Sequence, residues 1–440
     1  MRRLIALFLC FGTLYTEAQS KYQTLDSLFL RLDQHHKVMC SAALTEEGRV
    51  VYHKSIGFQH VPTKTYSNDK TLYHIGSLSK MFTATLVMQL VEEGKLTLDT
   101  KLSDFYPTIK NANRITIKQL LNHSSGIFSF TSDSTYQDFY QSAQTDQQLL
   151  TRFAALPSEF EPGTKHEYSN TGYVLLSMII EKKTGLSYND VLQKRICKPL
   201  NLKYTKIGST LSPSSGMAYS YLWEGGAWKA ESETHPSIPK GAGAIVSTPE
   251  EICAFLHGLF QWKLLPQPAV ERMMKQEQDH GLGLFEFPFG KRTCYGHTGS
   301  IDAFEAMAGY FPTEKKAICI LANGVNYDIN QIGLGMLSVL FETPYTLPSF
   351  EKKINPATSN LVMGKYRNEK IGMTIQIFEE NGTLKAQAEG QNAFPLTTMK
   401  EDRYEFKVAG IEMQFNRNSK NEVISATLLQ GGELEFERIE

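Results

Sequence analysis

The stretch Ser77-Leu78-Ser79-Lys80-Met81-Phe82-Thr83-Ala84-Thr85-Leu86-Val87-Met88-Gln89-Leu90 decides how this chain is read. As a helix it puts Ser77 and Lys80 on one face, three positions apart. A hydroxyl and an amine then stand together at a helix start, where unpaired backbone N–H groups favour developing negative charge. Nucleophile, base and amide donors are the ingredients of acyl transfer. Met81, Phe82, Thr85, Met88 and Val91 recur at helical spacing and predict one buried face, with Gly94 as the stop. The Ser-x-x-Lys pattern alone is unselective, because Ser67, Ser237 and Ser349 also have a lysine three residues on.

Context separates the four. Ser67 lies in a polar loop, Ser237 has Pro239 inside its motif, and Ser349 lies in a proline-interrupted segment. Only Ser77 opens an apolar helix. A lysine used as base must lose its proton near neutral pH, which requires burial or neighbouring positive charge. A second acid/base must serve the leaving group and later activate water. Tyr168-Ser169-Asn170 offers a phenol and a side-chain amide between the Pro162-Gly163-Thr164 turn and a helix predicted over 173–183. Tyr66 and Tyr366 begin the same Tyr-x-Asn pattern without that setting. Gly296-His297-Thr298-Gly299 closes a strand predicted over 293–299, where Gly299 would allow close backbone approach. A second Lys-Thr-Gly, at Lys183-Thr184-Gly185, reads as a helix end.

These motifs stand in order with Leu120-Leu121-Asn122-His123-Ser124-Ser125-Gly126, Glu161-Pro162-Gly163 and Gly241-Ala242-Gly243. Together they resemble the penicillin-recognising serine hydrolases: class C β-lactamases, D-Ala-D-Ala carboxypeptidases, and esterase and D-amino-acid peptidase relatives. The resemblance covers about residues 25–342. It implies an α/β (α+β) fold, an antiparallel sheet flanked by helices with a mostly helical second lobe and the site in the cleft between them. It makes Ser77 the acylated nucleophile, Lys80 its base and Tyr168 the proton carrier. Asn170 would bind the substrate's amide carbonyl, and backbone N–H groups of Ser77 and Ser300 would form an oxyanion hole. His297, Thr298, Gly299 and Ser300 would be the substrate-binding strand. Whether Lys80 or Tyr168 takes the first proton stays open, because coupled groups titrate as a pair.

One departure from the family pattern bears on the substrate. Many relatives carry lysine at the position of His297, where it holds the carboxylate of a β-lactam or a peptide C-terminus. Histidine is largely neutral at pH 7 and is a weaker anion anchor. The expected substrate is therefore an ester or a D-residue or cell-wall peptide ahead of a β-lactam. The alternative from another class is a catalytically silent binding or sensor protein on the same fold, which the joint presence of serine, lysine and tyrosine disfavours.

The remaining sequence frames this reading. Of 440 residues, 41% are hydrophobic and 21% charged, which fits a folded soluble protein, and a net charge of −1 gives no attraction to nucleic acid or anionic membrane. Arg2-Arg3, an apolar run over 4–14 and Thr16-Glu17-Ala18-Gln19 read as a signal peptide, 1–18, cut after Ala18. A secreted or periplasmic protein with no transmembrane segment in its mature chain is expected. Residues 19–343 would form the hydrolase domain, 344–359 a linker marked by Pro344, Pro348 and Pro356, and 360–440 a small all-β domain. In that last part Met373/Ile375/Ile377, Ile411/Met413/Phe415 and Leu434/Phe436 alternate, with Asn381-Gly382 and Gly431-Gly432 as turns.

Surface helices are expected over 131–156. Cys40, Cys197, Cys253, Cys294 and Cys319 are too sparse for a disulfide framework; most read as packed thiols, with room for one disulfide among them. His166-Glu167 and His280 lack metal-ligand spacing, so neither metal nor cofactor is expected. His123 is expected to shape its loop. Trp223, Trp228 and Trp262 are expected to pack, the first two also in reach of a cleft mouth.

Overall fold

The computed structural model describes residues 21–209, 216–350, 361–380, 383–391, 393–400, 402–406, 410–430 and 432–439. The signal-peptide segment and the turn residues Asn381, Gly382 and Gly431 lie outside them. The chain divides into two units, Met1–Pro348 and Ser349–Glu440.

In the first unit the chain begins with helix α1 (Gln23–Gln34) and a hairpin of β1 (Val38–Glu46) and β2 (Arg49–Ile56), turned through Glu47 and Gly48. Helix α2 (Ser79–Glu92) follows, then α3 (Asn170–Thr184), a second hairpin of β3 (Tyr221–Glu224) and β4 (Ala227–Ala230), and α4 (Pro249–Phe260). Three antiparallel hairpin connections then link β5 (Phe285–Phe289), β6 (Arg292–Ile301), β7 (Phe304–Phe311) and β8 (Lys316–Val325), before α5 (Ile329–Leu340). The sheet runs β5-β6-β7-β8-β1-β2, and β3 joins β8 in parallel where Tyr221 faces Gly324.

Both faces of this sheet are covered. Successive side chains of a strand point to opposite faces. Ala306, Ala308, Cys319, Leu321 and Ala43 join the main core with α2 and α4. Met307 and Ile320 point the other way, against Gly333 of α5. Double coverage explains why β8 is buried from Ala317 to Gly324 and reads as a nearly continuous apolar run.

Helix α2 corrects one expectation. Periodicity predicted one buried face and a start at Ser77, yet every residue from Ser79 to Met88 is buried. Ser77 sits in a separate 3₁₀ turn, Gly76–Leu78, and α2 begins two residues later. The helix runs through the interior, stacking Phe82 on Phe255 of α4 at 3.8 Å and bonding Thr83 Oγ1 to the Gly241 carbonyl at 2.6 Å. A helix enclosed on all sides has no polar stripe to give the period a contrast.

Other differences are local. Helix α3 starts at Asn170 rather than 173 and ends with Gly185 at φ 69°, so Lys183-Thr184-Gly185 is a helix terminus. Over 131–156 only Asp146–Ala155 is α-helical, capped by Thr145 and Gln148, and 3₁₀ turns precede it. Phe139 and Phe153 are buried there, because these aromatic residues turn onto the core. Trp262 is 54% exposed and does not pack, whereas Trp223 and Trp228 meet edge to face across their hairpin. Among the described residues Cys40, Cys197, Cys253, Cys294 and Cys319 are buried free thiols.

Among its described residues the second unit forms a nine-stranded antiparallel sheet. Ile375, Ile377, Met413, Phe415 and Phe436 fill its core with Tyr366, while Leu434 stays exposed on the outer side. Among the described residues no helix is long and apolar enough to cross a membrane.

Candidate active site

Two glycines bring the backbones of the site together. Gly76 has φ +51°, and a Cβ there would stand 2.9 Å from the Ser300 nitrogen. At Gly299 a Cβ would fall 2.3 Å from the Ile75 carbonyl oxygen and 3.1 Å from the Ser77 nitrogen. The approaches of 2.9 Å at Gly76 and 2.3 Å at Gly299 are shorter than a Cβ tolerates, so glycine lets β6 close on the turn that carries Ser77. The 3₁₀ turn thus holds the Ser77 amide against the strand bearing Ser300.

Lys80, on the first turn of α2, is fully buried. Its Nζ lies 2.9 Å from Ser77 Oγ, 2.8 Å from Asn170 Oδ1 and 2.9 Å from the Ala242 carbonyl oxygen. None of these partners is a carboxylate, so nothing offsets desolvation, and burial holds the amine well below its ordinary pKa. The rings of Tyr168 and Tyr173 stand 4.8 and 5.6 Å from Nζ.

Tyr168 donates from its hydroxyl to Ser77 Oγ at 2.8 Å. Burial pushes its phenol above the usual tyrosine range, and the bond to Ser77 opposes the shift. His123 stacks on the Tyr168 ring at 4.3 Å, and its Nδ1 accepts from the Ser169 N–H at 3.1 Å. His123 therefore shapes its loop, as expected, and also positions the phenol. Asn170 is fixed at both ends, with its N–H on Ser129 Oγ and its Nδ2 on Thr131 Oγ1 at 3.0 Å.

The cleft has two arms that meet at Ser77 and Asn170. One, of about 470 Å³, is lined by Tyr136, Tyr140, Leu222, Glu231, Thr234 and Asp302 among others. The other, about 580 Å³, holds Tyr168, Phe285, His297, Thr298, Gly299 and Glu305. Thr298 and Ser300 are exposed on β6, and His297 is 3% exposed. The His297 ring lies edge-on to Phe285 at 4.7 Å, and its Nδ1 bonds the Thr298 carbonyl.

The structure therefore brings all eight residues singled out in the sequence to one cleft. Ser77, Lys80, Tyr168 and Asn170 are joined by hydrogen bonds, while His297, Thr298, Gly299 and Ser300 form its facing strand. The rejected serines differ. Lys240, three residues after Ser237, is bound to Asp146 and Glu181 at 2.7 Å each, and Lys70 after Ser67 is exposed. Sequence reasoning missed the Ala242 carbonyl, Ser129, Thr131, Glu231 and Asp302. Gly241-Ala242-Gly243 signalled close approach, but a carbonyl acceptor leaves no mark on residue type.

With this geometry in place, a family model described as Beta-lactamase matches residues 25–331. The chain belongs to the β-lactamase family. Penicillin-binding protein 4* of Bacillus subtilis (strain 168) is 26% identical over 431 residues, spanning 90% of this chain and 94% of that protein. The D-amino acid amidase from Ochrobactrum anthropi SV3, solved with D-phenylalanine, is 27% identical with a TM-score of 0.64, covering 73% of this chain and 99% of that one. The octameric penicillin-binding protein homologue from Pyrococcus abyssi superposes over 94% of this chain and 99% of its own with a TM-score of 0.70. At 24% identity that last likeness concerns the fold alone.

Proposed function

We propose that this protein is an exported serine hydrolase that cleaves an amide or ester through an acyl-enzyme on Ser77. The observation that carries the reading is the convergence of Lys80 Nζ and the Tyr168 hydroxyl on one atom, Ser77 Oγ. Tyr168 donates to Oγ, so the Ser77 hydroxyl proton is free to point at the Lys80 lone pair. A neutral Lys80 then spends its two hydrogens on Asn170 Oδ1 and the Ala242 carbonyl, which satisfies every group.

In this mechanism Oγ attacks the substrate carbonyl as Lys80 takes its proton. Negative charge forms on the carbonyl oxygen between the Ser77 and Ser300 N–H groups. Tyr168 passes a proton to the leaving nitrogen or oxygen, the C–N or C–O bond breaks, and an ester to Ser77 remains. Water then attacks that ester, with Tyr168 and Lys80 taking and returning its proton. Asn170, held by Thr131, orients the acyl group's amide.

The likeness to a D-amino acid amidase and to penicillin-binding proteins favours D-configured amide substrates. His297 in place of a lysine counts against a dedicated β-lactamase. Arg2-Arg3 and the apolar run behind them support export. The test is covalent labelling with a fluorophosphonate probe, followed by a panel of p-nitrophenyl esters, D-amino-acid amides, D-Ala-D-Ala peptides and nitrocefin. Labelling that disappears in Ser77→Ala supports the hydrolase; folded protein that never labels points to a silent binding protein. Nitrocefin turnover above that of the amides would overturn the substrate preference.

A further inference from the structure

His297 carries a hydrogen-bonding capacity that no group among the described residues uses. Its Nδ1 meets the carbonyl oxygen of Thr298. A carbonyl oxygen only accepts, so Nδ1 must hold the hydrogen. In a neutral imidazole the other nitrogen, Nε2, is then a bare acceptor. Nε2 is buried and without a partner among the described residues, although His297 lines the same arm of the cleft as Ser77 and Tyr168. Burial, the largest cause, pushes this imidazole down to about 3, so it is neutral across the working range. A buried acceptor left unpaired is unfavourable, and a ligand that donates to it relieves the cost.

The charges around the cleft point the same way. Glu305 lines the arm of His297, and Glu231 and Asp302 line the other. Among the described lining residues of the two arms there is no lysine or arginine. Lys80 is already bound by Ser77, Asn170 and the Ala242 carbonyl. A free carboxylate on the leaving group would face a lone pair and like charges. A carboxamide presents an N–H instead.

We infer that His297 selects leaving groups that end in an amide N–H donor and rejects those that end in a free carboxylate. This rests on the Ser77 hydrolase reading and adds the leaving-group chemistry to it. His297 acts here by binding substrate, and its acceptor atom is what discriminates.

The acyl group of the best ester in the panel is coupled to D-alanine or to D-alaninamide, so that one scissile bond carries either terminus. We expect kcat/KM for the carboxamide to exceed that for the carboxylate by about tenfold or more, the scale set by one buried polar group left unpaired. In His297→Lys the order reverses, and in His297→Leu the two converge. His297→Gln, whose side-chain oxygen can accept, keeps part of the preference if Lys or Leu fails to fold. Equal rates in the wild type, a preference for the carboxylate, or an unchanged ratio in the folded variants would overturn the inference. Cleavage of neither coupled substrate, with the ester still cleaved, also overturns it and leaves the Ser77 hydrolase standing. Loss of Ser77 labelling, by contrast, defeats the hydrolase reading itself.

Discussion

Lys80 Nζ stands 2.9 Å from Ser77 Oγ in a site with no carboxylate beside it. A charged lysine there would be desolvated without an ionic partner, so burial favours the neutral amine and makes the proton easy to lose. Lys80→Ala is expected to lower kcat by about 10²–10⁴-fold, the range for a lost general base. Lys80→Arg should be no better, because guanidinium keeps its proton at any working pH. Steady-state ester hydrolysis by the two variants, with unfolding curves as controls, checks this.

The pH profile follows from the two shifted groups. The Lys80 pKa is lowered, so the amine is already a base at pH values where an ordinary lysine is fully charged. The Tyr168 pKa is raised, so the neutral phenol persists above the ordinary tyrosine range. Activity should therefore rise through the depressed lysine pKa and stay level past pH 9. A fall in kcat/KM between pH 7 and 9, on a substrate that does not titrate there, would count against the assignment.

Gly299→Ala tests the contact between strand and turn. The added Cβ would lie 2.3 Å from the Ile75 carbonyl and must push β6 away from Ser77. Misplacing one oxyanion donor costs roughly 10²–10³ in kcat. We expect a loss of that size with Ser77 still in place, read as a fall in kcat that exceeds any rise in KM. An Ala variant with normal kcat would refute the close approach.

Stability should respond to acid through His297. Its folded pKa is about 3 against an ordinary 6.5, so between these values the unfolded chain holds a proton that the folded chain lacks. Stability contributed by the neutral ring is thus full above pH 6.5 and lost as pH falls toward 3, at up to ~1.4 kcal/mol per pH unit. Denaturant unfolding at pH 7.5 and 5 should show a larger loss for the wild type than for His297→Gln. Equal losses would contradict a buried neutral imidazole.

The site was more legible in the sequence than the path that builds it. Ser77, Lys80, Tyr168 and His297 are ordinary residue types in demanding contexts, and their order along the chain singled them out. Helix α2 was misread because amphipathic period reports a helix at a surface, and this one lies inside. The Ala242 carbonyl and the Thr131 hydroxyl were invisible, since they serve through position rather than identity. The tautomer of His297 was equally hidden. It depends on a contact with the next residue's carbonyl, which no pattern encodes.

The central claim is that the reaction passes through an ester on Ser77. Rapid quenching of turnover with a cleaved ester or amide, followed by intact and peptide mass measurement, tests it directly. The account predicts a mass gain equal to the acyl group, located on the peptide that contains Ser77 and absent from Ser77→Ala. Turnover that persists in Ser77→Ala, or an adduct on any other residue, would contradict it.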